Sequence, residues 1–215
     1  MNIFKMNKNN YIFLIILVLL ISLSTNVCTA MNNIKYKEII GKENYKSIEE
    51  IRNRNEKNLN LLNQCINTKS ATNEEILALY KNYCTLSDQF SNLWSNYWYY
   101  ENINIINLKD KNSYANKLPN NTFDDIETLL YEYLILEIKN EKIELEDKNL
   151  SNFLIMQYLA EDINNYLVEF NSNNYKKDIK EEKKIKKAIK NKYWLTNLRE
   201  IDNILDEYLD YEFIL

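Results

Sequence analysis

The stretch CTLSDQFSNLWSNYWYYE, residues 84–101, holds two of the three tryptophans, and its reading decides the fold. Spacings of three and four join Phe90, Leu93, Trp94, Tyr97 and Trp98 into one broad face, as a helix buried on most of its circumference requires. Each buried indole removes about 150–250 Å² from water, an upper-bound gain of about 4–6 kcal/mol. The reading places Phe90, Leu93, Trp94, Tyr97 and Trp98, with the later Trp194, in the core. Tyr99 and Tyr100 fall partly off that face.

Working outward, the 215 residues suit one domain, with 46% hydrophobic and 27% charged content. One glycine (Gly41), one proline (Pro119) and no histidine leave little material for tight hairpin turns, so helices joined by Asn-rich links are expected. The abundant asparagine follows codon drift and is not treated as a prion-like tract. The predicted fold is all-α, a bundle of about four to five helices after an N-terminal signal peptide.

That leader comprises residues 1–30: Lys5 and Lys8, an apolar run from Ile12 to Ile21, then Cys28-Thr29-Ala30 as a small-residue cleavage pattern. The rival is an uncleaved anchor, for which the run is about half the roughly 20 residues a span needs. Cleavage after Ala30 removes two lysines and no acids. The remaining 25 basic and 31 acidic groups give a net charge of −6, which argues against nucleic acid as a partner.

Residues 31–46 read as a flexible segment, and 47–70 as an N-terminal helix opened by the capping pattern Ser47-Ile48-Glu49-Glu50. Asn55 and Asn58 interrupt its apolar stripe of Ile48, Ile51, Leu59, Leu62 and Ile66. The helical domain proper is 71–215. Thr72-Asn73-Glu74-Glu75 repeats the capping pattern, and Ile76, Leu79, Tyr80 and Tyr83 lead into the aromatic stretch. Thr85, Ser87 and Asp88 either bend this helix or sit within one long helix reaching toward Leu108. Residues 109–117 read as a loop ending at Pro119. Thr122 caps the next helix with Asp125 in the returning position, and Phe153 to Phe170 marks another. From Tyr175 onward the pattern suits one long amphipathic helix or two shorter ones.

Cys65 and Cys84 would remain in an oxidising compartment, either as a disulfide worth about 3 kcal/mol or as two buried thiols. Without histidine they make no zinc site, and no cofactor is expected. A nucleophile lacks a base, one glycine builds no phosphate loop, and the chain is read as non-enzymatic. The sequons at Asn120 and Asn149 are chance matches at this Asn content.

Charge in the last segment is divided. Residues 176–192 hold nine lysines (Lys176, Lys177, Lys180, Lys183, Lys184, Lys186, Lys187, Lys190 and Lys192) against three acids, whereas 196–215 hold Arg199 against six. The lysines are either a solvated helix face or a contact for an acidic protein segment, with a weak anionic membrane contact as a lesser reading.

The chain resembles the PHIST proteins, a helical exported family of malaria parasites, over about two-thirds of its length. The resemblance rests on Thr72-Asn73-Glu74-Glu75-Ile76-Leu77 as an opening helix, on Phe90, Leu93, Trp94 and Glu101, on Pro119, and on Trp194 as a late tryptophan. It implies a helical adaptor for membrane-skeleton proteins or acidic cytoplasmic tails, carried into the host cell. In Arg52-Asn53-Arg54-Asn55-Glu56 the ends of the family's export motif are present, but Arg54 stands in the Leu position. The second reading, from another class, is a secreted structural protein of the parasite surface or vacuole.

Overall fold

The structure, a computed structural model, describes residues 8–103, 117–136 and 142–215. It is a helical bundle with six helices among the described residues: α1 (Lys8–Thr68), α2 (Asn73–Ile103), α3 (Thr122–Leu136), α4 (Asp147–Asn174), α5 (Glu181–Asn191) and α6 (Tyr193–Asp206). Two three-residue strands, β1 (Ser70–Thr72) and β2 (Lys142–Glu144), pair antiparallel with Ala71 opposite Ile143. The sequence reading missed them. Each offers a single inward residue, Ala71 or Ile143, too little alternation to be seen as a strand.

The chain divides into two units, residues 1–40 and 41–215. In the first, α1 carries an exposed apolar run from Tyr11 to Leu23, and the helix that contains it is long and apolar enough to cross a membrane. Residues 31–46, expected to be flexible, are helical throughout, and Ser47 begins nothing because α1 already runs through it. With one glycine and no proline between 8 and 68, nothing in the chemistry breaks the helix there.

Within the second unit the buried side of α1 repeats with a seven-residue period: Gly41, Asn44, Ile48, Ile51, Asn55, Asn58, Leu62 and Cys65. Asn55 and Asn58, expected to interrupt the stripe, belong to it. The Asn55 amide is accommodated by donating to the Ala160 carbonyl of α4 at 2.7 Å. Nearby, Gln157 of α4 donates to Asn63 at 2.5 Å.

The capping box at Thr72 is present in both directions: Glu75 accepts from the Thr72 amide at 2.8 Å, and the Thr72 hydroxyl accepts from the Glu75 amide at 3.2 Å. From there α2 runs unbroken through Thr85–Asp88. The Thr85 hydroxyl turns back to the Lys81 carbonyl at 2.9 Å, and Ser87 donates to Asp124 of α3. The buried seam of α2 is Ile76, Leu79, Tyr83, Leu86, Phe90, Leu93 and Tyr97, again alternating threes and fours, with Trp94 beside it. Phe90 meets Phe123 edge-on at 5.8 Å, Tyr83 lies 6.3 Å from Phe123, and Tyr80 lies 5.9 Å from Tyr131. Rising position in α3 thus matches falling position in α2, and the two helices are antiparallel.

Five of the six expected core residues, Phe90, Leu93, Trp94, Tyr97 and Trp194, are buried. Trp98 is the correction: it is 58% exposed. It follows Tyr97 by one position, so about 100° of helical rotation carries it off the seam. An open cleft of about 360 Å³ lies there, lined by Trp94, Trp98, Tyr99, Leu118 and Pro119. Of the expected loop at 109–117, all but Lys117 lies outside the described residues, as does the side chain of Tyr100.

Thr122 opens α3, but not through a capping box. Its amide donates to the Asn120 side chain at 2.8 Å, and its hydroxyl turns to the Leu205 carbonyl of α6. The Asp125 amide donates to the Asn121 carbonyl, so the two amides a capping box would use at Thr122 and Asp125 are both engaged elsewhere. Lys117 bridges to α6, donating to Asp202 at 2.6 Å and to Asp206. The last segment is two helices, divided at Lys192, which takes left-handed geometry with φ 54°. Beyond α6 the tail returns to α4: Tyr211 donates to Asn152 at 2.8 Å, and Asn152 donates to the Ile214 carbonyl at 2.9 Å.

Candidate functional site

The lysine run spans the α4–α5 connection and α5 itself. Asn174 ends α4 and Tyr175 leaves it in extended geometry, its amide still bonded to Asn171. A turn follows, in which the Ile179 amide donates to the Lys176 carbonyl at 3.1 Å. Lys180 is the first flanking residue of α5, and Glu181 and Glu182 occupy its first turn, where the helix dipole favours acids.

The nine lysines do not form one uniform surface. Lys176, Lys177, Lys180, Lys183, Lys186, Lys187, Lys190 and Lys192 are exposed. Lys184 turns inward: its ammonium donates to Glu49 of α1 at 2.8 Å and lies 5.1 Å from the Tyr175 ring centre, with its side chain only 14% exposed. Lys187 donates to the Asn174 carbonyl and lies 5.8 Å from the same ring. Part of the run therefore serves α5 docking, and the rest faces outward.

Four residues that the sequence reading did not assign complete the surroundings. Arg52 sits one turn beyond Glu49 and donates to it at 2.5 Å. Tyr45 donates to Glu181 at 2.7 Å, and burial, reinforced by the Glu181 bond and the Glu49 charge, pushes its phenol well above the usual range. Burial pushes Tyr175 up in the same way. Glu49 had been visible only as part of a capping pattern, and Arg52 only as one end of an export-like motif. Neither pattern signals a partner 135 positions away, as Glu49 has in Lys184.

Arg52, Asn171, Ser172, Tyr175, Lys176, Lys177, Ile179 and Lys184 line an open groove of about 560 Å³. Its cations outnumber its acids, and its chemistry is suited to holding an anion. No group of three or more metal-ligating acids or cysteines occurs among the described residues. Cys65 and Cys84 are free thiols, engaged apart from one another: Cys65 is buried beside Glu75, whereas Cys84 shares hydrogen bonds with Tyr80 and Glu127. In the export-like stretch, Arg54 bonds Glu50 at 2.7 Å and Asn82 at 3.1 Å, and Asn55 is buried.

No family model, curated protein or solved structure matches the chain.

Proposed function

We propose that the protein is a secreted, non-enzymatic helical interaction module whose lysine-rich α5 end receives an acidic protein partner. The observation that carries this reading is the split within α5. Lys184 is spent on Glu49, while Lys183, Lys186 and Lys190 stay outward on a helix whose inner side is anchored by Ala188. An anchored helix presenting lysines on one side offers a positive surface without loss of its own packing. Secretion rests on the lysine-flanked apolar run and the Cys28-Thr29-Ala30 pattern.

The PHIST resemblance supports an adaptor role through Thr72–Leu77, Trp94, Pro119 and Trp194. Thr72 caps α2, which also bears Trp94, so two of those motifs share one helix. The second reading, a secreted structural protein with solvated lysines, draws on the internal use of Lys184 and Lys187.

Retention of the folded chain on an immobilised poly-glutamate surface, eluted by rising salt, tests the proposal. Lys183→Glu, Lys186→Glu and Lys190→Glu together should abolish retention. Retention unchanged by the triple substitution would remove the assignment, and retention of a tagged protein within the vacuole would favour the structural reading.

A further inference from the structure

We infer that the groove between α1 and the α4–α5 turn is a receptor for a phosphorylated side chain on a peptide segment. This rests on the proposed role as a binder of an acidic protein, and it adds a second contact beside the outward lysines of α5, with a chemistry of its own.

Charge is the first argument. Arg52, Lys176, Lys177 and Lys184 border the groove, and the carboxylate bound among them is that of Glu49. Asp178 lies in the same turn outside the groove lining, and Glu181 is held by Tyr45. Four cations against one bound carboxylate leave more positive charge than a single further carboxylate neutralises. A phosphate monoester, carrying about −1.5 to −2 at pH 7 with three acceptor oxygens, is the better complement.

Available donors are the second. One Arg52 nitrogen is held by Glu49 at 2.5 Å and its Nε is buried, so Arg52 lends the groove charge and the reachable donors are ammonium groups. Lys176 and Lys177 are exposed and form no ion pair among the described residues, so their ammonium groups can converge on an incoming anion.

Shape decides the carrier. About 560 Å³ is several times the volume of an oxyanion, and Tyr175 and Ile179 add apolar wall that a free phosphate would not use. A residue flanking the phosphorylated one would cover that wall. A flat leaflet would meet the outward lysines of α5 and leave the recess empty.

The test uses the full chain and a labelled Glu-rich peptide carrying one phosphoserine, beside the same peptide with serine. Fluorescence anisotropy should give about a tenfold preference for the phosphorylated form. Lys176→Ala with Lys177→Ala should erase that preference, whereas Lys186→Ala with Lys190→Ala, outside the groove, should keep it even if both affinities fall. Equal binding of both peptides, or a preference surviving at Lys176→Ala/Lys177→Ala, would overturn the groove assignment and leave the acidic-partner reading intact. Binding of neither peptide would overturn both. Displacement of the phosphopeptide by phosphoinositide vesicles, but not by vesicles of neutral lipid, would give the site to a membrane and overturn the peptide carrier.

Discussion

The ammonium of Lys184 stands 2.8 Å from Oε1 of Glu49, with their side chains 14% and 20% exposed, joining α5 to α1 across 135 positions. Lys184→Ala should destabilise the fold by about 1–2 kcal/mol, since it leaves a largely buried carboxylate with fewer partners. Lys183→Ala, on the outward side, should change stability by less than about 0.5 kcal/mol. Urea midpoints measure both, and equal midpoints for the two variants would contradict the pairing. Charge reversal at Lys184 would therefore confuse a folding defect with a binding one, and binding tests should spare it.

Tryptophan emission separates the three indoles. Trp94 and Trp194 are each 4% exposed, and Trp98 is 58% exposed. Trp98→Phe should shift the emission maximum to the blue and remove most acrylamide quenching. Trp94→Ala should cost about 3–5 kcal/mol. Unchanged quenching in Trp98→Phe would place that ring inside.

Gly41 brings the α1 backbone close to α5: a Cβ there would stand 3.0 Å from Cγ2 of Ile189. Alanine requires a shift of a few tenths of an ångström by a side chain, and gains helix propensity in return. A larger residue has no such room. Gly41→Leu should destabilise by about 1–3 kcal/mol, and Ile189→Ala in the same chain should recover part of that loss. Additive losses in the double variant would mean that the two residues do not meet.

Asn58 is fully buried, and neither atom of its amide is paired among the described residues. Leucine, with similar volume and no polar atoms, should raise stability by about 1–2 kcal/mol. A lower melting temperature for Asn58→Leu would reveal a hydrogen-bonding partner for the amide.

Burial raises both thiols, Cys65 to about 12 with Glu75 adding to the effect. A raised folded value makes the neutral thiol the form the fold prefers. Its stabilising effect is complete below the unfolded value of about 8.5 and is lost as pH rises toward 12. Alkylation at neutral pH should be slow at Cys84 and await unfolding at Cys65. Rapid labelling of Cys65 in the folded chain would contradict its burial. Fast labelling at Cys28, which is exposed, would mark molecules that keep residues 1–30.

Much of the bundle was legible because its helices are periodic. The spacing from Ile76 to Tyr97, the Thr72 box and the Phe153 to Phe170 stripe each carry a helical signal within a few turns. What could not be read depends on distant partners. Asn55 looks like a fault in a stripe until Ala160 supplies an acceptor, and Thr122 looks like a cap until Asn120 takes that amide and Leu205 the hydroxyl. Trp98 was misplaced because a four-residue step from Trp94 seems to continue the face, whereas the seven-residue seam has already passed to Tyr97. The candidate groove escaped for the same reason: Arg52 and Lys176 approach one recess from opposite ends of the chain.

The inner edge of α1 is keyed as well as greasy. Along it, a glycine and three asparagines alternate with hydrocarbon, and the Asn55 amide fits the opposite helix only where the Ala160 carbonyl waits. Sliding α1 by one turn would carry the Asn55 amide away from the Ala160 carbonyl and drive Gly41 off the one spot that admits Ile189. Gly41 and Asn55 thus act as notches. By locking the helix lengthwise, they hold Glu49 and Arg52 at the height of the α4–α5 turn, so a recess on the outside owes its shape to one glycine and one amide on the inside.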